Sequence, residues 1–190
     1  MKFALLAARV RRPLRRFLRE KRGVAAVEFA MLLPLMVTLY LGGVEVSSAI
    51  AVDRKVTLVA RTMSDLTSQS STVTDTDLTN YTNTGKAIMT PYDASLLNAT
   101  VSELYIEPNT LDVKVKWSKG SAPRGFNSTV AVPTALKIGG TYLIYAEVNY
   151  KYVPTIGYVM AKAGITLSDF TFTRPRQSSC VLYSQTTCPT

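Results

Sequence analysis

The feature that most constrains this chain is a 21-residue apolar run, VAAVEFAMLLPLMVTLYLGGV, at positions 24–44. At 1.5 Å per residue, a helix of this length spans the roughly 30 Å hydrocarbon core of a membrane. The run contains one charged residue, Glu28, and one proline, Pro34. We therefore predict a transmembrane helix at 24–44, with a helix kink at Pro34, whose ring removes a main-chain hydrogen bond.

The positive charge of the chain is concentrated before this run. Residues 1–23 contain nine Lys and Arg against one Glu, which gives +8 of the formal net charge of +9. A basic arm can bind nucleic acid, but here no aromatic residues alternate with the bases and the arm leads directly into the apolar run. The pattern is typical of a positive-inside flank. It predicts a cytoplasmic leader at 1–23, no nucleic-acid partner, and residues after 44 on the far side of the membrane.

Glu28 is unexpected, since a carboxylate in a membrane span costs about 2–3 kcal/mol even on permissive insertion scales. One interpretation places Glu28 close enough to the helix start to reach the headgroups. Another pairs it with a positive group when helices pack together. The α-amino group of a neighbouring chain would serve, if the chain were cut just before the run.

Two other outcomes of targeting stay open. Ala49-Ile50-Ala51 resembles a signal-peptidase site, and cleavage there would release a secreted protein that begins at Val52. Without any cleavage, the chain would be a membrane-anchored periplasmic adhesin or binding protein that does not polymerise.

Beyond the span, the sequence predicts a helix and then a sheet. Residues 45–67 form an amphipathic helix extension, 68–85 a polar linker, 86–176 an α+β head and 177–190 a tail. Asp93 is predicted to cap a turn that includes Leu96 and Leu97. On the helix extension, we expect one apolar side made of Val46, Ile50, Val56, Val59, Met63 and Leu66.

Alternation at period two predicts the strands. We expect strands at 101–107 and 165–173, and Pro108-Asn109-Thr110 connects the strand at 101–107 to the strand that follows it in the chain. The predicted fold class is α+β: a long transmembrane helix continues into an amphipathic helix packed on a small, mainly antiparallel sheet. One strand places Leu111, Val113, Val115 and Trp117 on one face. Another places Tyr142, Ile144, Ala146, Val148, Tyr150 and Tyr152 on one face.

Nothing in the sequence indicates an enzyme. The chain has no histidine, and it lacks a phosphate loop and a nucleophile-elbow motif. Cys180 and Cys188 are too few and too widely spaced for a zinc or CxxC site, so we expect no metal and no cofactor. In an oxidising compartment these two cysteines would form one disulfide that staples the tail; the alternative is two free thiols.

Several segments together resemble a known family. Lys21-Arg22-Gly23 followed by VAAVEF resembles the prepilin-peptidase site of type IV pilins. Four further segments carry the resemblance: MTPYD (89–93), VKWS (115–118), PTALKIGGTYLIYAEVNYKYVPTIGY (133–158) and ITLSDFTFTRPR (165–176). Over most of residues 20–176, this sequence is similar to TadE-like proteins of tight-adherence (Tad/Flp) pilus systems.

The resemblance implies a pseudopilin or minor pilin of the bacterial inner membrane, with a pilin-like fold in which a helix spine carries a small sheet. Gly23 and Val24 would flank the prepilin-peptidase cleavage site, and Glu28 would be the assembly glutamate, fifth in the mature chain. The implied partners are the inner membrane, the prepilin peptidase, and other Tad/Flp pilins and pilus assembly proteins. The implied role is pilus assembly and cell adhesion, with the C-terminal domain in the periplasm or on the cell-surface pilus.

Overall fold

The computed structural model describes residues 22–154 and 164–189, which form parts of two compact units, Met1–Val46 and Ser47–Thr190. The first 21 residues of the predicted leader lie outside the described residues. A 47-residue helix, α1 (Arg22–Ser68), begins in the first unit and ends in the second. It passes through Pro34 without interruption, and the Thr38 hydroxyl donates to the Pro34 carbonyl at 2.7 Å. The kink at Pro34 stays a prediction.

The strands of the second unit are β1 (Thr72–Val73), β2 (Leu97–Ile106), β3 (Val113–Gly120), β4 (Tyr142–Tyr152), β5 (Ile165–Thr173) and β6 (Leu182–Tyr183). Four of them form an antiparallel sheet with the order β3-β2-β4-β5. A separate two-stranded parallel sheet pairs β1 with β6. The predicted α+β class, a long apolar helix followed by a mainly antiparallel sheet, is confirmed.

The main core lies between the sheet and the C-terminal half of α1. From the helix, Val52, Val56, Val59, Ala60 and Met63 are buried in it. From β4 it receives five residues of the predicted alternating set, while Tyr142 packs in a small separate cluster with Tyr105 and Cys180; side chains two residues apart point to the same face of a strand. That set is confirmed as one buried face: Tyr142, Ile144, Ala146, Val148, Tyr150 and Tyr152.

The predicted apolar side of α1 is wrong at its beginning. Val46 is 61% exposed and Ile50 is 51% exposed, whereas Val52 is fully buried. The spacing Val52, Val56, Val59, Met63 follows the helical repeat of 3.6 residues that one buried stripe requires. Val46 and Ile50 fall off that stripe.

The prediction for β3 is also wrong, because the strand changes face at a β-bulge. Trp117 pairs with Glu103, but the next pair joins Val115 to Leu104, so Lys116 is the extra residue. Val113 and Val115 therefore pack on the outer face of the sheet and Trp117 on the helix face. Leu111 precedes the strand, with a φ of 57° in the β2–β3 connection.

The polar segment 68–85 is not the flexible linker that its composition predicts, since most of it lies in a second helix, α2 (Asp75–Ile88). A reciprocal capping box begins the helix: the Thr74 hydroxyl accepts from the Asp77 amide, and the Asp77 carboxylate accepts from the Thr74 amide. Leu78 is buried in the main core. Tyr81 and Ile88 of the same helix also pack against this core. Local capping and these apolar contacts therefore outweigh the low helix propensity of Thr and Asn.

Two smaller features complete the second unit. Asp93 caps a 3₁₀ turn (Ala94–Leu96) as predicted, with its Oδ1 accepting from the Ser95 amide at 2.9 Å, while Leu97 already begins β2. On the outer face of the sheet, a second apolar cluster forms. Its strand residues are covered by Val130, Val132 and Leu136 from the connection between β3 and β4.

Candidate anchor and head surfaces

The predicted membrane-associated residues all lie on α1. Gly23, Val24 and Glu28 fall within its first two turns, and every residue from 23 to 40 is exposed. The surface around Glu28 is made of large apolar side chains, including Val27, Phe29 and Leu32. An exposed apolar surface of this extent is typical of a helix that lies in lipid or packs on other apolar helices. The helix is a candidate single-pass membrane anchor by its length and composition.

An added Cβ at Gly23 would meet nothing within 4 Å. A larger side chain at position 23 would therefore not clash with any neighbouring residue that the structure describes. Gly42, farther along the same helix, is equally open. The two glycines thus form a matched pair in one helix, only one of which lies at the predicted cleavage site.

In the second unit, the C-terminal tail is part of the head. Cys180 and Cys188 are joined by a disulfide, with their Cα atoms 5.8 Å apart. Val181 is fully buried in the main core, and its carbonyl accepts from Trp117 Nε1 at 2.7 Å. Tyr142 donates its hydroxyl to the Pro189 carbonyl at 2.9 Å. The tail therefore closes the core beyond the end of α1.

A buried carboxylate lies under this tail. Glu103 is fully buried, and its Oε1 accepts from the Val181 amide at 2.6 Å. Its Oε2 has no hydrogen-bond partner among the described residues. Burial raises the pKa of Glu103 to about 7, because removal from water penalises the charged form more than the neighbouring Val181 amide and Trp117 side chain favour it.

On the outer face of the sheet, an ion pair lies beside an aromatic group. Arg124 contacts both carboxylate oxygens of Glu147 at 2.6 Å, and its guanidinium lies 5.5 Å from the ring centre of Tyr145. Burial acts to raise the pKa of Glu147, but the bonds from Arg124 and Tyr145 outweigh it and hold that pKa below its usual value. Tyr145 stacks on Phe172, and Phe170 meets both rings. The ion pair of Arg124 with Glu147 and the three aromatic rings therefore lie together on the outer face of β4 and β5.

No cluster of three or more metal-ligating side chains occurs in residues 22–154 and 164–189. The open grooves of the second unit are lined mainly by polar residues. One of them, about 350 Å³, lies between α1 and the edge of β5 and is lined by Arg61, Thr62, Asp65, Leu66, Thr171 and Thr173.

Comparison with known proteins bears on the anchor. Residues 23–63 match the family model described as TadE-like protein. This part of α1 is similar to TadE-like proteins. The predicted resemblance is thus confirmed over these residues, which include Gly23, Val24 and Glu28; beyond residue 63 it stays a prediction. No curated protein and no solved structure matches the chain. The TadE-like match indicates involvement in a Tad pilus system and association with its membrane proteins.

Three features of the head were missed in the sequence. The burial of Glu103 was not predicted, although its neighbours Val101, Leu104 and Ile106 are apolar and indicate a buried strand. The contact between Val181 and Trp117 carries no local signal, because 64 residues separate its partners. The pairing of Arg124 with Glu147 joins residues that lie 23 apart in the sequence, and it carries no local signal either.

Proposed function

We propose that this chain is a pseudopilin or minor pilin of a Tad (Flp) pilus system, processed by a prepilin peptidase and acting in pilus assembly and surface adhesion. The observation that carries the proposal is the TadE-like match, which begins at Gly23 and includes the exposed apolar helix around Glu28. The role is structural rather than catalytic. The C-terminal head acts as the displayed part of the molecule.

Cleavage between Gly23 and Val24 creates a positively charged partner for the Glu28 carboxylate. It removes the basic leader and leaves a free α-amino group on Val24, four residues from Glu28 and therefore near it on one helix face. When copies pack side by side, the amine of one chain neutralises the Glu28 carboxylate of its neighbour. An unpaired carboxylate in the membrane is costly, so this pairing favours packed helices over isolated ones.

The proposed topology follows from the distribution of charge. The nine basic residues before the span hold the N-terminus in the cytoplasm, which puts the head in the periplasm of the inner membrane or on the pilus. A disulfide between Cys180 and Cys188 fits that oxidising compartment. The partners are the prepilin peptidase, other Tad/Flp pilins and the assembly proteins of the system.

The first test is the N-terminus of the protein purified from its host, determined by mass spectrometry. We expect the chain to start at Val24, and Gly23→Val to retain the leader because a branched side chain blocks access to the scissile bond. Gly42→Val is the matched control, since its site is equally open and lies away from the cut. An intact Met1 in the parent protein identifies a plain anchored adhesin, and a start at Val52 identifies a secreted protein; either result refutes the proposal.

The second test concerns Glu28. We expect Glu28→Ala to insert into the membrane and to be cleaved normally, but to be absent from sheared pili and to reduce piliation in electron micrographs. Met31→Ala, which shortens an exposed side chain of the same helix, should leave piliation unchanged. Normal piliation with Glu28→Ala would exclude the assembly role of this carboxylate.

A further inference from the structure

Residues 177–189, which we call the tail strap, are held to the head mainly at one buried point. Among these residues only Cys180 and Val181 are buried, and residues 184–187 are all exposed. The strap's sheet contact is the two-residue strand β6, which pairs with β1. A segment with so few buried contacts opens locally at a lower cost in free energy than the core strands do.

The disulfide does not attach the tail strap to the sheet. Both Cys180 and Cys188 belong to the strap, so their bond closes a loop within it. The bonds that join this loop to the rest of the head are few. The Tyr183 hydroxyl donates to Asp75 at 2.9 Å in an exposed position, where water can replace either partner. The strap can therefore leave the sheet as one unit with its disulfide intact.

The buried point of the tail strap lies directly on a carboxylate. The Val181 amide donates to Glu103 Oε1 at 2.6 Å, and the Val181 carbonyl accepts from Trp117 Nε1 at 2.7 Å. The second carboxylate oxygen, Oε2, is buried and has no hydrogen-bond partner among the described residues. A carboxyl group in such a place carries a proton at a much lower cost in free energy than a charge.

The groups around Glu103 supply no positive charge. The tail strap contains no Asp, Glu, Lys or Arg. From β4 the facing group is Tyr142, whose pKa burial raises to about 12, so that it is neutral near pH 7. Lys116 of β3 lies 5.3 Å from the ring centre of Tyr105 on β2 and makes no ion pair with Glu103 in the described part of the chain. Asp65, the last charged residue of α1, is already in an ion pair.

We propose that the tail strap is a pH-sensitive closure of the head, which stays shut while Glu103 is protonated and opens locally when Glu103 ionises. Opening brings water to both carboxylate oxygens. Ionisation also strengthens the bond from the Val181 amide, which favours the shut form. Burial outweighs that gain, since it raises the pKa of Glu103 in spite of the bond, so the balance moves towards opening as the pH rises.

The open form uncovers a surface that the shut form hides. Withdrawal of Val181 frees the indole N–H of Trp117. Withdrawal of Cys180 uncovers the rings of Tyr105 and Tyr142, with which it forms a buried cluster. The strap therefore controls the access of solvent to three aromatic side chains of the sheet. The inference rests on the head alone and does not depend on the proposed pilus function.

Amide hydrogen exchange of the full chain in mild detergent, followed by mass spectrometry, tests the proposal. The probe is the peptide that contains the Val181 and Leu182 amides, both of which are hydrogen-bonded in the shut strap. Each rate is divided by the rate of an unstructured peptide at the same pH. Because an open strap returns Glu103 from a pKa of about 7 to the ordinary 4.5, opening should increase about tenfold between pH 6 and pH 8.5.

Urea separates local opening from unfolding of the whole head. Exchange that requires global unfolding accelerates with urea, because much surface becomes exposed, whereas a small local opening is nearly insensitive to it. At pH 8.5 the strap peptide should exchange faster than peptides from β2 and β4. Urea up to about 1 M should accelerate the β2 and β4 peptides and leave the strap peptide unchanged.

Three variants assign the effect to Glu103. Glu103→Gln keeps an acceptor for the Val181 amide and cannot ionise, so its strap should exchange equally at the two pH values. Glu107→Gln removes a surface carboxylate and should keep the tenfold increase. Val181→Ala weakens the buried point without altering the carboxyl group. Its strap should open more at both pH values, with the tenfold ratio between them preserved.

The proposal fails if strap exchange does not increase with pH, or if Glu103→Gln shows the same increase as the parent protein. It also fails if the strap peptide exchanges as slowly as β2 and β4 and responds to urea as they do, because the head would then open only as a whole. If Trp117 fluorescence shows that Glu103→Gln does not fold, the parent protein and Val181→Ala decide the question. A ratio near one in both would exclude ionisation of Glu103 as the cause of opening.

Discussion

At the residue scale, Glu103 has the environment least suited to its charge. One of its carboxylate oxygens accepts the Val181 amide, while the other has no partner among the described residues. Its pKa of about 7 lies above the 4.5 of an exposed Glu, so between these two values the folded protein holds a proton that the unfolded chain releases. The contribution of this group to stability is therefore present below about pH 4.5, declines as the pH rises, and is lost above about pH 7.

We predict that Glu103→Gln flattens the dependence of stability on pH. The parent protein should lose about 3 kcal/mol of unfolding free energy between pH 4.5 and pH 8 through this group, since each pKa unit corresponds to about 1.4 kcal/mol. Glutamine keeps an oxygen for the Val181 amide and cannot ionise. Urea unfolding followed by Trp117 fluorescence at the two pH values measures the difference.

The control for this prediction is Glu107→Gln. Glu107 lies at the surface, 3.6 Å from Lys114, and its replacement also removes one carboxylate. This variant should retain the fall in stability that the parent shows. A Glu103→Gln protein that still loses as much stability as the parent would show that the buried carboxylate is not the cause.

At the scale of elements, α2 shows how a polar segment becomes a helix. Its hydroxyl groups return hydrogen bonds to the preceding turn, as Thr79 does to Asp75 and Thr82 does to Leu78. Such bonds do not favour a helix by themselves. The start of the helix is fixed by Thr74, whose side chain satisfies an amide that would otherwise have no partner in the first turn.

We predict that Thr74→Ala destabilises the head by about 1 kcal/mol, the usual effect of losing an N-cap. Thr79→Ala makes the same chemical change five residues later in the same helix, where the exposed hydroxyl only returns to Asp75. Its effect should stay within about 0.5 kcal/mol. Urea unfolding of the two variants compares them directly, and equal losses would contradict the capping role of Thr74.

Elements also show where periodicity succeeds and where it fails. The six alternating residues of β4 were predicted because the strand has no bulge and each neighbour repeats the period of two. In β3 the same rule failed after Val115, since the insertion of Lys116 depends on the pairing with Glu103 and Leu104 rather than on local sequence. Lys116 is buried and lies 5.3 Å from the ring centre of Tyr105, a contact that only the sheet creates.

At the scale of the whole molecule, sequence predicts whatever the chain encodes locally. The apolar helix, the antiparallel sheet and the position of Glu28 followed from composition, periodicity and a short motif. The closing of the core did not, because Val181 joins Trp117 and Glu103 across 64 and 78 residues. Nor did the place of β5 at the end of the main sheet, where among the described residues it pairs with β4 alone. Long-range contacts decide both features.

The place of Val181 in the core has a consequence for how this protein is made. Residues of β2 leave the ribosome long before residue 181; at 5–20 residues per second, the 84 residues between Leu97 and Val181 take on the order of 4 to 17 seconds. During that interval Trp117 has no carbonyl to meet, and Glu103 stays in water as an ordinary ionised acid. During synthesis, the core of the head therefore cannot be completed until the C-terminal segment that contains Val181 has been made.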